Sequence, residues 1–235
     1  MTQLEFKQLI LEAKYFTKYE AILHKESLEI YGYEALSKFD IKNEIISTEE
    51  IFKKLHHNNS LFFELEKRNK KLQLEGYALN HKLFLNFDAD IVVSETQQSY
   101  WEDFLMNYKD KVVIEITENG SDDETSADIM RNFSNWLKRN GISSALDDFA
   151  QDGSMFSFYI MNNCKYIKID KSFLEQIRKN KNYLHYLNGL LKTIKLNGQK
   201  SIIEGVEILD DLNLVRSLEC DFIQGYYFSN LSFEI

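Results

Sequence analysis

The chain has 235 residues, 44% of them hydrophobic, and a formal charge of -9 at pH 7. That length and apolar content suit one sizeable α/β domain, and the acidic balance argues against a protein that tracks the phosphates of polymeric nucleic acid. Cys164 and Cys220 lie far apart and form no redox or zinc pair, and no apolar run reaches membrane-spanning length, so a cytoplasmic protein without a membrane partner is expected.

The apolar positions of residues 4–16 suit an irregular entry strand better than a short amphipathic helix, with both left open. Residues 19–23 and 29–39 read as strands joined by a turn, the second holding Glu34 in the apolar context IYGYEAL. A capping box, Ser47 with Glu50, opens a helix over 47–55. Leu61, Leu65, Leu72 and Leu79 support a longer helix through KRNKK (67–71), whose charges are expected on its wet face. KLFLNFD (82–88) reads as a buried strand ending in Asn86 and Asp88. Residues 97–108 look helical, and KVVIEITE (111–118) is the next strand, carrying Glu115 and Glu118. A helix over 121–140 stops at Asn140-Gly141.

Residues 143–170 begin with an apolar run that ends in Asp147 and Asp148. A loop and a short helix follow, and a second apolar run carries Lys168 and Asp170. Beyond it, 173–197 is mainly helical, 200–206 is a strand with Glu204 leading to Glu207, 209–218 is a helix, and 221–223 is a short strand before Gln224-Gly225. Strand and helix alternate about seven or eight times over a length close to the ~250 residues of a (β/α)8 barrel.

Taken singly, the polar residues at these strands have bland explanations. An Asp-Asp pair is most simply a solvated turn, Glu34 a salt-bridged strand residue, and Lys168 a partner for Asp170. Their common phase argues otherwise. Glu34, Asn86, Glu115, Asp147, Asp148, Lys168, Glu204, Glu207 and Gln224 fall once or twice per strand, and parallel barrel strands bring their C-terminal ends to one face. So many carboxylates in one mouth repel each other unless divalent cations are bound. Oxygen ligands without cysteine or clustered histidine select hard ions such as Mg²⁺ or Mn²⁺ over Zn²⁺, and point to metal-assisted chemistry at phosphate.

Glu34-Ala35-Leu36, followed in order by LFLNFD, IEITE, LDDF, YIKID, IEGVE and QGYYF, resembles the EAL-domain family of bacterial cyclic di-GMP phosphodiesterases. The resemblance covers nearly the whole chain. It implies a single domain over residues 1–235, folded as a TIM-like (β/α)8 barrel with one antiparallel strand. It also implies hydrolysis of cyclic di-GMP to linear pGpG with two Mg²⁺ or Mn²⁺ ions. In the residues that match, Glu34, Asn86, Glu115 and Asp147 would hold one ion, and Asp147 would bridge to a second shared with Asp148 and Glu204. Lys168 would touch the attacking water or the phosphate, with the proton acceptor open between Lys168 and Glu204. Glu118 would fix the loop after Asp148, and Lys38, Glu207 and Gln224 would serve the substrate.

The chain departs from the family after LDDF, where Ala150 to Met155 replace Gly-Thr-Gly-Tyr-Ser-Ser. That loop helps place the second carboxylate and contributes to a homodimer contact in the family. Lys38-Phe39 stands for an Arg-Trp pair, keeping the charge without the bidentate fork, and Tyr19-Glu20-Ala21 stands for Tyr-Gln-Pro. The alternative expectation is therefore a catalytically weak or inactive cyclic di-GMP receptor or protein-interaction module.

Overall fold

A computed structural model describes residues 12–41, 44–46, 48–55, 58–117, 124–151 and 158–235. Its first two strands, β1 (Lys14–His24) and β2 (Ile30–Ile41), form a long antiparallel hairpin that sets Glu20 opposite Glu34. Short β3 (Glu44–Ile46) folds back on the far end of β2. The strands β4 (Lys82–Phe87), β5 (Val112–Thr117), β6 (Ser143–Phe149), β7 (Tyr166–Ile169), β8 (Lys200–Ile203) and β9 (Phe222–Gln224) then follow in parallel, each paired with the one before and β4 with β2. Antiparallel pairing of β9 with β1 closes the sheet. The fold is thus the expected TIM-like barrel of eight strands with β1 running against its neighbours. The two-residue β10 (Phe233–Glu234) pairs with β1 near Tyr19.

Alternation along the strands divides the barrel into layers. Ile22, Phe84, Val113, Ala145, Tyr166, Ile202 and Phe222 pack together as one apolar cluster inside it. Two residues further along each parallel strand, on the same inward face, stand Asn86, Glu115, Asp147, Lys168, Glu204 and Gln224. An apolar floor therefore carries a polar layer. The intervening residues, such as Leu85, Ile114, Leu146, Ile167 and Ile203, face outward and pack in a second core under the helices.

Those helices are α1 (Thr48–Leu55), α2 (Asn59–Glu75), α3 (Glu95–Met106), α4 (Glu124–Arg139), α5 (Phe158–Met161), α6 (Ser172–Lys179), α7 (Tyr183–Leu196) and α8 (Leu209–Arg216). A capping box starts α3: Gln97 N–H donates to Ser94 Oγ at 3.2 Å, and Ser94 N–H to Gln97 Oε1 at 2.9 Å. No helix among the described residues is long and apolar enough to cross a membrane.

Several expectations need correction. The Ser47 to Glu50 capping box lies partly outside the described residues, because Ser47 does. Leu79 is not part of α2, which ends at Glu75 with the Gly76 N–H bonded to Leu72 O. Nor is KRNKK simply a wet face. Phe62, Leu65, Glu66, Asn69, Lys70 and Gln73 share one buried helical stripe, and Lys70 pairs with Glu66 at 2.5 Å within it. Residues 173–197 are mainly helical as expected, in two helices, α6 and α7, separated at Asn180, but β8 stops at Ile203 rather than reaching Val206.

Candidate active site

Lys168 is the centre of the polar layer. Only 1% of it is exposed. Its Nζ lies 2.7 Å from Glu115, 2.8 Å from Asp147, 2.9 Å from Glu204 and 3.2 Å from Glu34. An ammonium has three protons, so four carboxylates cannot all be satisfied by it. Glu34 finds two further donors, Gln224 Nε2 at 2.7 Å and Asn86 Nδ2 at 3.1 Å. By contrast, both carboxylate oxygens of Glu115, Asp147 Oδ1 and Gln224 Oε1 are buried without a hydrogen-bond partner. Their contacts with Lys168, where present, are ion pairs not aligned for hydrogen bonding.

Asp147 and Asp148 are neighbours in a strand and would ordinarily point to opposite faces. The pairing of β6 with β7 is irregular between Leu146 and Phe149, and Asp148 takes a left-handed backbone with φ 52°. Both carboxylates consequently reach the mouth. Two oxygen triads result, Glu34 with Glu115 and Asp147, and Asp147 with Asp148 and Glu204, each having ligand atoms within 4.8 Å of one another. Asp147 belongs to both.

Burial and mutual repulsion govern the charges here. Burial opposes the charge on Glu34, but Lys168, Gln224 and Asn86 outweigh it and hold that carboxyl below its ordinary range. Burial pushes Glu115 well above that range, with Glu34 adding to the effect, and raises Asp147 in the same sense. Asp148 rises to about 6, through burial and then Asp147, and Glu204 to about 8, chiefly through burial. Burial would lower Lys168, yet Asp147, Glu115, Glu204 and Glu34 overcome it and hold the ammonium well above its usual value.

These shifts set a stability window for the chelator-treated protein. Folded Asp148 and Glu204 retain protons that the unfolded chain has released by about pH 5. Their contribution is complete below about pH 4, and is lost as pH rises through 6 and then 8. Scanning calorimetry in EDTA should therefore show Tm falling between pH 5 and pH 8.5, with Mg²⁺ or Mn²⁺ opposing the fall most strongly at the alkaline end. A Tm that is flat across that window would contradict these charge assignments.

The structure brings Glu34, Asn86, Glu115, Asp147, Asp148, Lys168, Glu204 and Gln224 together. Lys38 is half-buried four residues beyond Glu34 on β2, towards the outer end of the hairpin. Glu207 stays outside the cluster; it is exposed, with its carboxylate 3.9 Å from Arg178 Nη2. Glu118 lies outside the described residues, and the altered loop expected to carry a homodimer contact is described only at Ala150 and Gln151. Ala150 itself has φ 67°, a left-handed conformation that costs a non-glycine residue about 1–2 kcal/mol. Sequence reasoning did not place Lys18 and Glu20 at the mouth. They pair at 2.6 Å on β1, and Glu20 meets Glu34 only because β1 runs antiparallel to β2, which no local pattern discloses.

The residues fit a pair of hard divalent cations. Glu34, Glu115, Asp147, Asp148 and Glu204 surround one lysine, so full ionisation leaves four negative charges in excess. Oxygen is the only donor type in the two triads, and buried oxygens without a hydrogen-bond donor already belong to the first.

Comparison with known proteins bears on the family and the fold. A family model described as EAL domain matches residues 4–230. The cyclic di-GMP phosphodiesterase TpdA of Vibrio parahaemolyticus is 25% identical over 215 residues, covering 92% of this chain and 37% of its own. The chain spans less than half the length of the first curated relatives it matches. Among solved structures, the FimX EAL domain of Pseudomonas aeruginosa bound to c-di-GMP aligns with a TM-score of 0.77 at 18% identity, over 95% of this chain and 93% of that one. The YkuI protein of Bacillus subtilis, in complex with c-di-GMP and calcium, aligns with a TM-score of 0.75 at 20% identity, over 97% and 57% respectively. Since the family match leaves only a few residues at either end and the barrel is shared with solved relatives, the chain belongs to the EAL-domain family.

Proposed function

We propose that this chain is a metal-dependent phosphodiesterase that opens one phosphodiester bond of cyclic di-GMP to give linear pGpG, using two Mg²⁺ or Mn²⁺ ions. The observation that carries this reading is the pair of carboxylate triads sharing Asp147. Glu34, Asn86, Glu115 and Asp147 would hold the first ion, and Asp147, Asp148 and Glu204 the second. Bound divalent cations in such sites acidify water and clamp a phosphate for in-line displacement.

The chain's own groups divide the remaining work. Gln224 and Asn86 hold Glu34 by its two oxygens and so fix one wall of the first triad. Four carboxylates keep Lys168 charged, which suits it to stabilise negative charge on the scissile phosphate rather than to accept a proton. Of the two candidate proton acceptors, that leaves Glu204. Lys38 and Gln224 would contact the substrate, Glu207 would join them from the rim, and Glu118 would brace the loop after Asp148.

Incubation with cyclic di-GMP and either Mg²⁺ or Mn²⁺ should yield pGpG on chromatography, and EDTA should stop it. A second reading, a receptor that binds cyclic di-GMP without cleaving it, draws support from the left-handed Ala150 beside the second triad. Tight binding with no product, unchanged by Asp147→Asn, would favour the receptor.

A further inference from the structure

The loop between β8 and α8, which follows Glu204 and includes Glu207, is anchored by a pair with no part in the reaction above. Helix α8 has Ile208 at its N-cap, a side chain with no acceptor for the first helical N–H groups. Asp211, in the first turn, reaches back instead to the two N–H groups just before the helix. Its Oδ2 accepts from the backbone N–H of Glu207 at 3.0 Å and of Ile208 at 3.2 Å. Arg178, on α6, grips the same buried carboxylate with both arms, Nε to Oδ1 at 3.0 Å and Nη2 to Oδ2 at 2.8 Å. Asp211 thus receives four hydrogen bonds, two of them in the parallel fork that only arginine presents.

The pair joins two units of the site. Helix α6 begins two residues after Asp170, so Arg178 belongs to the β7 unit that carries Lys168. Asp211 belongs to the β8 unit that carries Glu204. The same units touch at Gly205 (φ 74°), where an added Cβ would lie 2.3 Å from the Cβ of Lys171. Along the loop, Glu204 N–H donates to Ile169 O at 3.0 Å and Val206 N–H to Gln224 O at 3.1 Å. The next two N–H groups depend on Asp211. The Arg178 guanidinium also faces the Glu207 carboxylate from outside the cluster, at 3.9 Å.

We propose that Arg178 and Asp211 are positioning residues that fix the β8–α8 loop, and through it the Glu204 carboxylate, in the second cation triad. The proposal rests on the two-cation reading of the site. It predicts an effect confined to one cation. Outer groups that orient metal ligands typically contribute about 10–100-fold to affinity. Asp211→Asn and Arg178→Gln should weaken one of two Mn²⁺ ions by at least ~10-fold in an EPR titration and leave the other unchanged. Amide hydrogen exchange at Glu207 and Ile208 should accelerate in both variants, and kcat should fall more than KM rises. Arg178→Lys, which keeps charge without the fork, should recover part of each effect.

Unchanged Mn²⁺ affinities, or loss of both ions in step with a lowered Tm, would overturn the proposal and leave the pair a purely structural brace. Failure of the two-cation reading is distinguishable. In that case the wild-type chain binds no Mn²⁺, so the assignment to Glu204 falls with it. The exchange rates at Glu207 and Ile208 would still decide whether the pair holds the loop.

Discussion

Replacing Lys168 with methionine is expected to destabilise the chelator-treated protein by about 3–5 kcal/mol at pH 7.5, the usual consequence of removing one partner from buried charges. The lysine lies within 3.2 Å of four carboxylates, and its loss leaves those anions facing each other in a nearly solvent-free layer. Methionine fills much of the volume, so packing is not the main cost. The sign of the pH dependence follows from the same geometry. Glu34 is the carboxyl that Lys168 holds below its ordinary range; without the lysine it takes up a proton on acidification, which removes its repulsion with Glu115 and Asp147. Urea unfolding of Lys168→Met in EDTA should therefore show a large deficit at pH 7.5 that mostly disappears at pH 5. A midpoint equal to that of the wild type at pH 7.5 would mean that Lys168 does not hold Glu34 ionised.

Asp147→Asn should have the opposite effect on stability and the largest effect on activity. Asp147 is the carboxylate common to both triads, so its loss would touch both proposed cations at once. Losing about 4 kcal/mol of transition-state stabilisation, within the several kcal/mol that metal ions supply, corresponds to a fall of ~10³-fold in kcat/KM. The fold does not depend on its charge. Burial and the nearby Glu34 carboxylate work against ionised Asp147, Lys168 works for it, and the balance is a raised pKa. A neutral amide should then leave the chelator-treated protein as stable as the wild type at pH 7.5, or more so. Steady-state kinetics beside thermal melts would check both halves. An inactive variant with a much lower Tm would show that Asp147 matters for folding rather than for cation binding.

The barrel was legible because a strand's period of two places an apolar residue below each site residue. Phe84 precedes Asn86, Val113 precedes Glu115, Ala145 precedes Asp147, Tyr166 precedes Lys168, Ile202 precedes Glu204, and Phe222 precedes Gln224. That repetition survives in one dimension, so the inward face of these six strands can be read from it. Features that depend on partners distant in the chain do not survive. Lys168 and Glu34 are 134 residues apart, and nothing near either residue announces their contact. The approach of Asp148 to Asp147 depends on a break in strand register and a positive φ, which Asp tolerates but does not signal. Lys70 was misplaced for a different reason. Its charge suggested solvent, whereas its spacing from Phe62 and Leu65 placed it on the buried stripe, where Glu66 neutralises it. Short β3 and β10 are too brief to show a period at all.

The central claim, that the carboxylate layer holds two cations bridged by Asp147, is tested most directly by anomalous diffraction from crystals grown with Mn²⁺. Two anomalous peaks are expected, one against Glu34, Asn86, Glu115 and Asp147, the other against Asp147, Asp148 and Glu204, with Lys168 displaced from at least one of its carboxylates. A map with no peak in this layer, or with a single peak that Asp147 does not contact, would contradict it.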